Sequence, residues 1–294
     1  MIPRKALARK RGPAVRGPGA AFDRVLRPTL EQKKTSVPAV AARAPQGGIM
    51  PEFTPLLSAY VFMAVFLAGI VRGATGFGFS LIMIVLLTLF FPPAQVAPVI
   101  LFWEVLASVG HLPFVYRQVH WKSLRWLALG VAFGTPFGVY CLVSIPVDAM
   151  RIIINAVVLI LTGLLYCGLR PKNAPSPTQI TGVGLLAGVI NGASANGGPP
   201  IILFFLSSPL GAAVGRASLI AFFLFTDVWA SLFYWQQGLI NRSTLIFTVV
   251  FLVPMFIGMW IGNRWFATVD EARFKKIVLA LLMAISVVGL IKAL

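Results

Sequence analysis

From Met50 onward the chain is a succession of long apolar runs joined by short charged links, and this pattern limits the folds open to it more than any other feature. Ten apolar segments can be read, at roughly 55–72, 78–91, 95–116, 123–145 and 151–169, then 179–191, 199–208, 213–236, 243–263 and 273–293. About 20 apolar residues suffice to cross the roughly 30 Å hydrocarbon core of a bilayer. Charged residues make up only 11% of the chain, against about 25% in an ordinary soluble domain. A soluble fold of this length could not bury so much apolar surface. The predicted class is therefore all-α, a polytopic membrane helical bundle with the lipid bilayer as its solvent.

The formal charge of +17 does not argue for nucleic acid, because the basic residues are not spread over a soluble face. Eleven of the 25 Lys and Arg residues precede residue 50, in a segment rich in Pro, Ala and Gly with no apolar period. Residues 1–49 are expected to be a disordered basic tail, and Met50 reads as an alternative natural start. Arg117, Lys122, Arg125, Arg170, Lys172, Arg216, Arg264, Arg273, Lys275 and Lys276 fall on one side of the membrane, with Arg151, Arg242 and Lys292 on the other. By the positive-inside rule both ends of the core face outward, in a cell inner (cytoplasmic) membrane if the cell is bacterial. Eleven positive charges in the tail would then lie on the wrong side, a second reason to set the tail apart.

The chain repeats itself. Leu67-Ala68-Gly69-Ile70-Val71-Arg72-Gly73-Ala74-Thr75 matches Leu186-Ala187-Gly188-Val189-Ile190-Asn191-Gly192-Ala193-Ser194 at five of nine positions, with three conservative differences. The stretch from Leu101 to Ser108 pairs with Leu224 to Ser231, which sets Glu104 opposite Asp227. Several matches in one order predict two membrane repeats, 50–171 and 172–294. Each half has an odd number of spans, so the second copy is inverted relative to the first, as in many transporters.

In each half a Gly-rich stretch separates the first two, short segments, which read as two tilted spans or as one hairpin that re-enters. Arg72-Gly73-Ala74-Thr75-Gly76-Phe77-Gly78 ends one helix, as does Asn191-Gly192-Ala193-Ser194-Ala195-Asn196-Gly197-Gly198-Pro199-Pro200. The helix that restarts offers free N–H groups and a partial positive charge. Two inverted copies would aim two such termini at one midplane point, which suits an oxyanion. Arg72, the one basic residue in either break, could hold an anion through two parallel hydrogen bonds. The alternative is close packing by the Gly69-x-x-x-Gly73 and Gly188-x-x-x-Gly192 faces. Glu104 and Asp227 lie inside apolar spans, where an ionised carboxylate is costly. They suggest ion coupling by a proton or cation, or else a structural hydrogen bond.

No phosphate loop, metal-ligand spacing or nucleophile elbow is present, so no enzyme, cofactor or metal is expected. Cys141 and Cys167 read as apolar packing residues. A homodimer is compatible with the sequence but not demanded by it.

The residues Leu67-Ala68-Gly69-x-x-x-Gly73-Ala74-Thr75-Gly76-Phe77-Gly78 and Ala187-Gly188-x-x-x-Gly192-x-x-x-x-Gly197-Gly198-Pro199-Pro200 resemble those of the sulfite exporter TauE/SafE family, also called the toluene sulfonate uptake permease family. The resemblance spans about residues 55 to 294. It implies a secondary transporter for sulfite, organosulfonates or related anions. It carries over to Gly73, Thr75, Gly76, Gly78, Gly192, Asn196, Gly197, Gly198 and Pro199 as substrate-binding positions. The residues themselves add Arg72, Asn191 and Ser194 for the substrate, and Glu104 and Asp227 for coupling. Alternating access is the expected mechanism; a channel and a non-transporting membrane scaffold are the rivals.

Overall fold

The computed structural model describes residues 54–167, 176–206, 210–265 and 271–293; the basic tail and the boundary between the repeats lie outside the described residues. These residues form a multi-pass helical membrane protein. Its helices are α1 (Pro55–Thr75), α2 (Phe79–Thr88), α3 (Pro93–Val115), α4 (Trp121–Ser144), α5 (Val147–Cys167), α6 (Pro177–Ser194), α7 (Gly198–Leu206), α8 (Ala212–Gln236), α9 (Arg242–Val250), α10 (Leu252–Trp265) and α11 (Glu271–Ala293). Five described helices are individually long and apolar enough to cross a membrane, and α9 with α10, bent by 41° at their junction, are so only when taken together, as a broken span or a re-entrant loop.

That bend divides the segment read as continuous from 243 to 263. Pro254 has no N–H to offer the Val250 carbonyl, and its ring crowds the preceding turn. The helix stops at Phe251 and restarts. Near the interruption, the Thr248 carbonyl accepts from the indole N–H of buried Trp103 on α3 at 3.0 Å. Trp103 also meets the rings of Phe79 and Phe247, edge and tilted contacts worth about 0.5–1.5 kcal/mol each.

The helices pair across the two halves in a reciprocal way. The first helix of the first half, α1, packs on α10, while the first helix of the second half, α6, packs on α4. Both contacts are built on glycine. Gly69 and Gly73 lie against the Met255 and Met259 carbonyls, and Gly258 and Gly262 against those of Phe66 and Ile70. On the other side Gly130, Gly134 and Gly138 face the carbonyls of Thr181, Leu185 and Val189, with Gly184 and Gly192 closing the same seam from α6 against those of Leu127 and Thr135. Without a Cβ, two backbones can touch, and in lipid such packing replaces the missing hydrophobic drive.

The third helices, α3 and α8, run antiparallel. His111 near the end of α3 shares a cavity with Arg216 and Ile220 near the start of α8. The His120 N–H just beyond α3 donates to the Ser218 hydroxyl at 2.9 Å. The fifth helices, α5 and α11, also run antiparallel: Arg151 in the second turn of α5 and Lys292 in the last turn of α11 line one small cavity at the end of α2. Large apolar side chains such as Phe133, Phe137 and Trp235 stay exposed on the outside of the bundle, where a bilayer would cover them.

Candidate functional site

The two glycine breaks have one backbone design. The first helix ends at Thr75 and resumes at Phe79; the sixth ends at Ser194 and resumes at Gly198. Three residues are unwound in each case. The first of them takes a left-handed conformation in both, Gly76 at φ 80° and Ala195 at φ 54°, and its N–H donates back to the carbonyl of Arg72 or Asn191. Glycine takes this conformation without strain, whereas alanine does so at a cost of about 1–2 kcal/mol.

Each break receives a buried carboxylate, by a different route. In the first half, Glu104 on α3 lies 2.5 Å from an Arg72 Nη atom, with both side chains almost fully buried. The Ser80 N–H in the first turn of α2 donates to Glu104 Oε1 at 3.2 Å. The other Arg72 Nη donates to the Ser108 hydroxyl at 3.2 Å. In the second half the residue matching Ser80 is Pro199, which has no N–H to give. Asn191 bridges the gap. Its Nδ2 donates to Asp227 Oδ1 at 3.0 Å, and its Oδ1 accepts from the Gly197 N–H at 3.0 Å. Arg72 and Asn191 thus hold the same place in the two copies, each facing the acid of its own half.

The two assemblies meet. Asp227 lies within electrostatic reach of both Glu104 and Arg72. The Arg72 guanidinium lies 5.2 Å from the centre of the Phe223 ring. A Cβ on Gly198 would touch that ring at 3.2 Å. Phe223 therefore stands between the first break and the second, and the two breaks converge on it. A cationic face over an aromatic ring is worth about 2 kcal/mol or more once desolvated.

The cavity beside Arg72, lined by Gly76, His111, Arg216, Ile220 and Met259, has a volume of about 10 Å³, room for about one water. Two of the N–H groups at the breaks are already engaged by side chains: Ser80 serves Glu104, and Gly197 serves Asn191. Thr75 gives its hydroxyl to the Val71 and Phe77 carbonyls and accepts from the Phe77 N–H, which holds the first break in shape. Ser194 bonds the Ile190 carbonyl. Gly73 and Gly192 lie in the glycine seams, and Gly78 caps α2 at φ 92°. Asn196 differs from all of these. It is 1% exposed, and neither of its amide atoms has a hydrogen-bond partner among the described residues. Asp227 Oδ2 is likewise buried without a hydrogen bond.

Three residues at the site were not legible as such in the sequence. Arg216 reads as a loop charge, yet its side chain lies over the first break, where a Cβ on Gly76 would meet its Nε at 2.9 Å. It makes no hydrogen bond or ion pair among the described residues. Phe223 looks like one apolar residue in an apolar run. Tyr234, fully buried, donates to the Gly192 carbonyl at 2.9 Å and occupies in the second half the place that His111 holds in the first. Only the extended repeat alignment, carried past Ser231, could have drawn attention to it.

The model of the family "Sulfite exporter TauE/SafE" matches residues 61–288. The chain belongs to this family. As a member it is a membrane transporter, and both breaks and both buried acids lie inside the matched region. A relative from Cupriavidus necator, named "Probable sulfite/organosulfonate exporter TauE", is 24% identical over 204 residues, covering 66% of this chain and 77% of its own length. No solved structure matches the chain.

Proposed function

We propose that this TauE/SafE member exports sulfite or an organosulfonate across the cell inner membrane by alternating access between two inverted repeats, 50–171 and 172–294. The observation that carries this reading is the convergence of two like-built helix breaks on Phe223, with one buried arginine and two buried carboxylates between them. The antiparallel courses of the paired third and fifth helices support the inversion. So does the exchange of partners between α1·α10 and α4·α6. Two half-equivalent bundles can trade conformations, which yields an inward-open and an outward-open state. The closed cavity is then the occluded stage between them, and Phe223 and Arg216 on α8 must move before a solute enters.

In this reading Arg72 supplies the charge for the anion and Asn196 a free amide from the opposite break. Arg216 draws the anion in from the side where Arg117, Lys122 and Arg125 cluster, the cytoplasmic side by charge bias. Glu104 or Asp227 carries the coupling ion. The core termini lie on the outer face. Purified protein in liposomes loaded with unlabelled sulfite should accumulate labelled sulfite transiently by counterflow. A leak current linear in voltage, with no counterflow, would point to a channel instead.

A further inference from the structure

We infer that Glu104 is a built-in competitor for the transported anion: its carboxylate occupies the anion's own ligands, and the anion enters only as Glu104 leaves with a proton. The inference rests on the anion-carrier reading above and adds how that site is coupled.

The geometry of the first break carries it. An oxyanion docking there would need Arg72 and the amino end of α2. One carboxylate group already engages a donor of each: an Arg72 Nη by ion pair and the Ser80 N–H by hydrogen bond. A carboxylate and a sulfur oxyanion present the same thing to these donors, a pair of oxygens sharing negative charge. With Glu104 in place, the cavity next to Arg72 has room for about one water. The departure of Glu104 would release both donors.

The charge balance requires the proton. One guanidinium faces two carboxylates, Glu104 and Asp227. An added anion would bring a third negative group to a site whose positive charges are Arg72 and, across the cavity, Arg216; with Glu104 and Asp227 already offsetting those two, its charge is uncompensated in a nearly dry site unless an acid is neutralised. The charged groups facing Glu104 are Arg72 on α1 and Asp227 on α8. Arg216 on α8 and His111 on α3 lie on the far wall of the cavity, and the His111 Nδ1 is engaged with the Ala107 carbonyl. Tyr234 on α8 bonds the Gly192 carbonyl. Helices α2 and α6 carry no titratable side chain, and α9 carries only Arg242 in its first turn. Among the described residues, no group on α4 or α5 hydrogen-bonds or ion-pairs with Glu104.

The step balances. A proton from water on the open side joins the Glu104 carboxylate to give a neutral carboxyl, which turns from Arg72. Two oxygens of the anion take its place. On the far side the anion leaves, Glu104 returns the proton to water and reoccupies Arg72. Proton and anion travel in the same direction. A sulfite dianion with one proton moves one net negative charge, which an inside-negative potential drives outward.

The second half has no such device. Its acid, Asp227, is held by the Asn191 amide and not by a cation of its own, so the competitor belongs to the first break alone.

The test is sulfite binding to purified protein by calorimetry, at a pH where sulfite is fully dianionic, in two buffers of different ionisation enthalpy. Wild type should take up about one proton per sulfite bound. Glu104→Gln, which fills the same space without the charge, should take up none and bind sulfite at least about tenfold more tightly. Arg72→Gln should bind none. Glu104→Gln that binds more weakly, or still takes up a proton because the anion enters as bisulfite or Asp227 is the acceptor, overturns the inference. So does wild-type binding without proton uptake, a reading available even if the variant does not fold. Failure of both wild type and Glu104→Gln to bind sulfite or methanesulfonate refutes the carrier reading itself.

Discussion

Breaking the Arg72–Glu104 pair gives the sharpest energetic prediction. The two side chains are 4% and 2% exposed and in direct contact. At an effective dielectric constant near 20, unit charges 4 Å apart attract by about 4 kcal/mol. Removing one member of a buried pair strands the other and costs about 3–5 kcal/mol, whereas replacing both by apolar groups is often near neutral. Arg72→Met and Glu104→Met should each destabilise the protein by about 3–5 kcal/mol. The double variant should lie much nearer wild type than either single one, because it removes both desolvated charges and leaves only the Ser80 N–H and Ser108 hydroxyl short of a partner. Equilibrium unfolding in detergent, analysed as a double-mutant cycle, measures this directly. The expected coupling is at least about 3 kcal/mol. Single variants within about 0.5 kcal/mol of wild type, or additive losses in the double variant, would refute a desolvated ion pair at the first break.

Three further outcomes follow from the same geometry. Asn191→Leu leaves the Gly197 N–H and Asp227 Oδ1 unpaired; each buried orphan costs about 1–3 kcal/mol, and sulfite counterflow should be lost even where purified protein remains folded. Gly134→Val forces a branched side chain against the Leu185 carbonyl. It should lower the melting temperature through separation of α4 and α6, while Gly163→Val, with open space around its Cα, should not. Gly76→Ala should cost about 1–2 kcal/mol in left-handed strain and push Arg216 off the break; Ala195→Gly, at the matching position, should be close to neutral, relief of strain offsetting the lost buried methyl. A detergent melting series separates these two.

Much of the architecture was legible because lipid leaves a chain few choices. Nine of the ten apolar segments correspond to single helices, and the tenth is split at Phe251. The bend was missed although Pro254 is visible: prolines also sit inside α3 and α4, which run on without interruption, so proline alone does not say where a helix will part. The two breaks were legible because backbone that unwinds at a left-handed residue needs glycine or a tolerated substitute. The correspondence of Glu104 with Asp227 was legible in the sequence match of residues 101–108 with 224–231. The occupancy of the site was not. Nothing in the spacing of Glu104 says that it reaches Arg72 and Ser80, since that depends on how α3 crosses α1 and α2. Phe223 and Arg216 escaped notice for a related reason. An aromatic residue in an apolar helix and a basic residue near a helix start are the commonest things in a membrane protein, and only the fold sets these two at the breaks.

The central claim, that both breaks contribute to one anion site, is tested most directly by an experimental structure of the protein with sulfite. The account predicts sulfite oxygens within hydrogen-bonding distance of the Arg72 guanidinium and of the Asn196 amide, with Phe223 moved aside and Glu104 turned away. Sulfite bound elsewhere, with the Arg72–Glu104 pair intact and Phe223 still between the breaks, would contradict it.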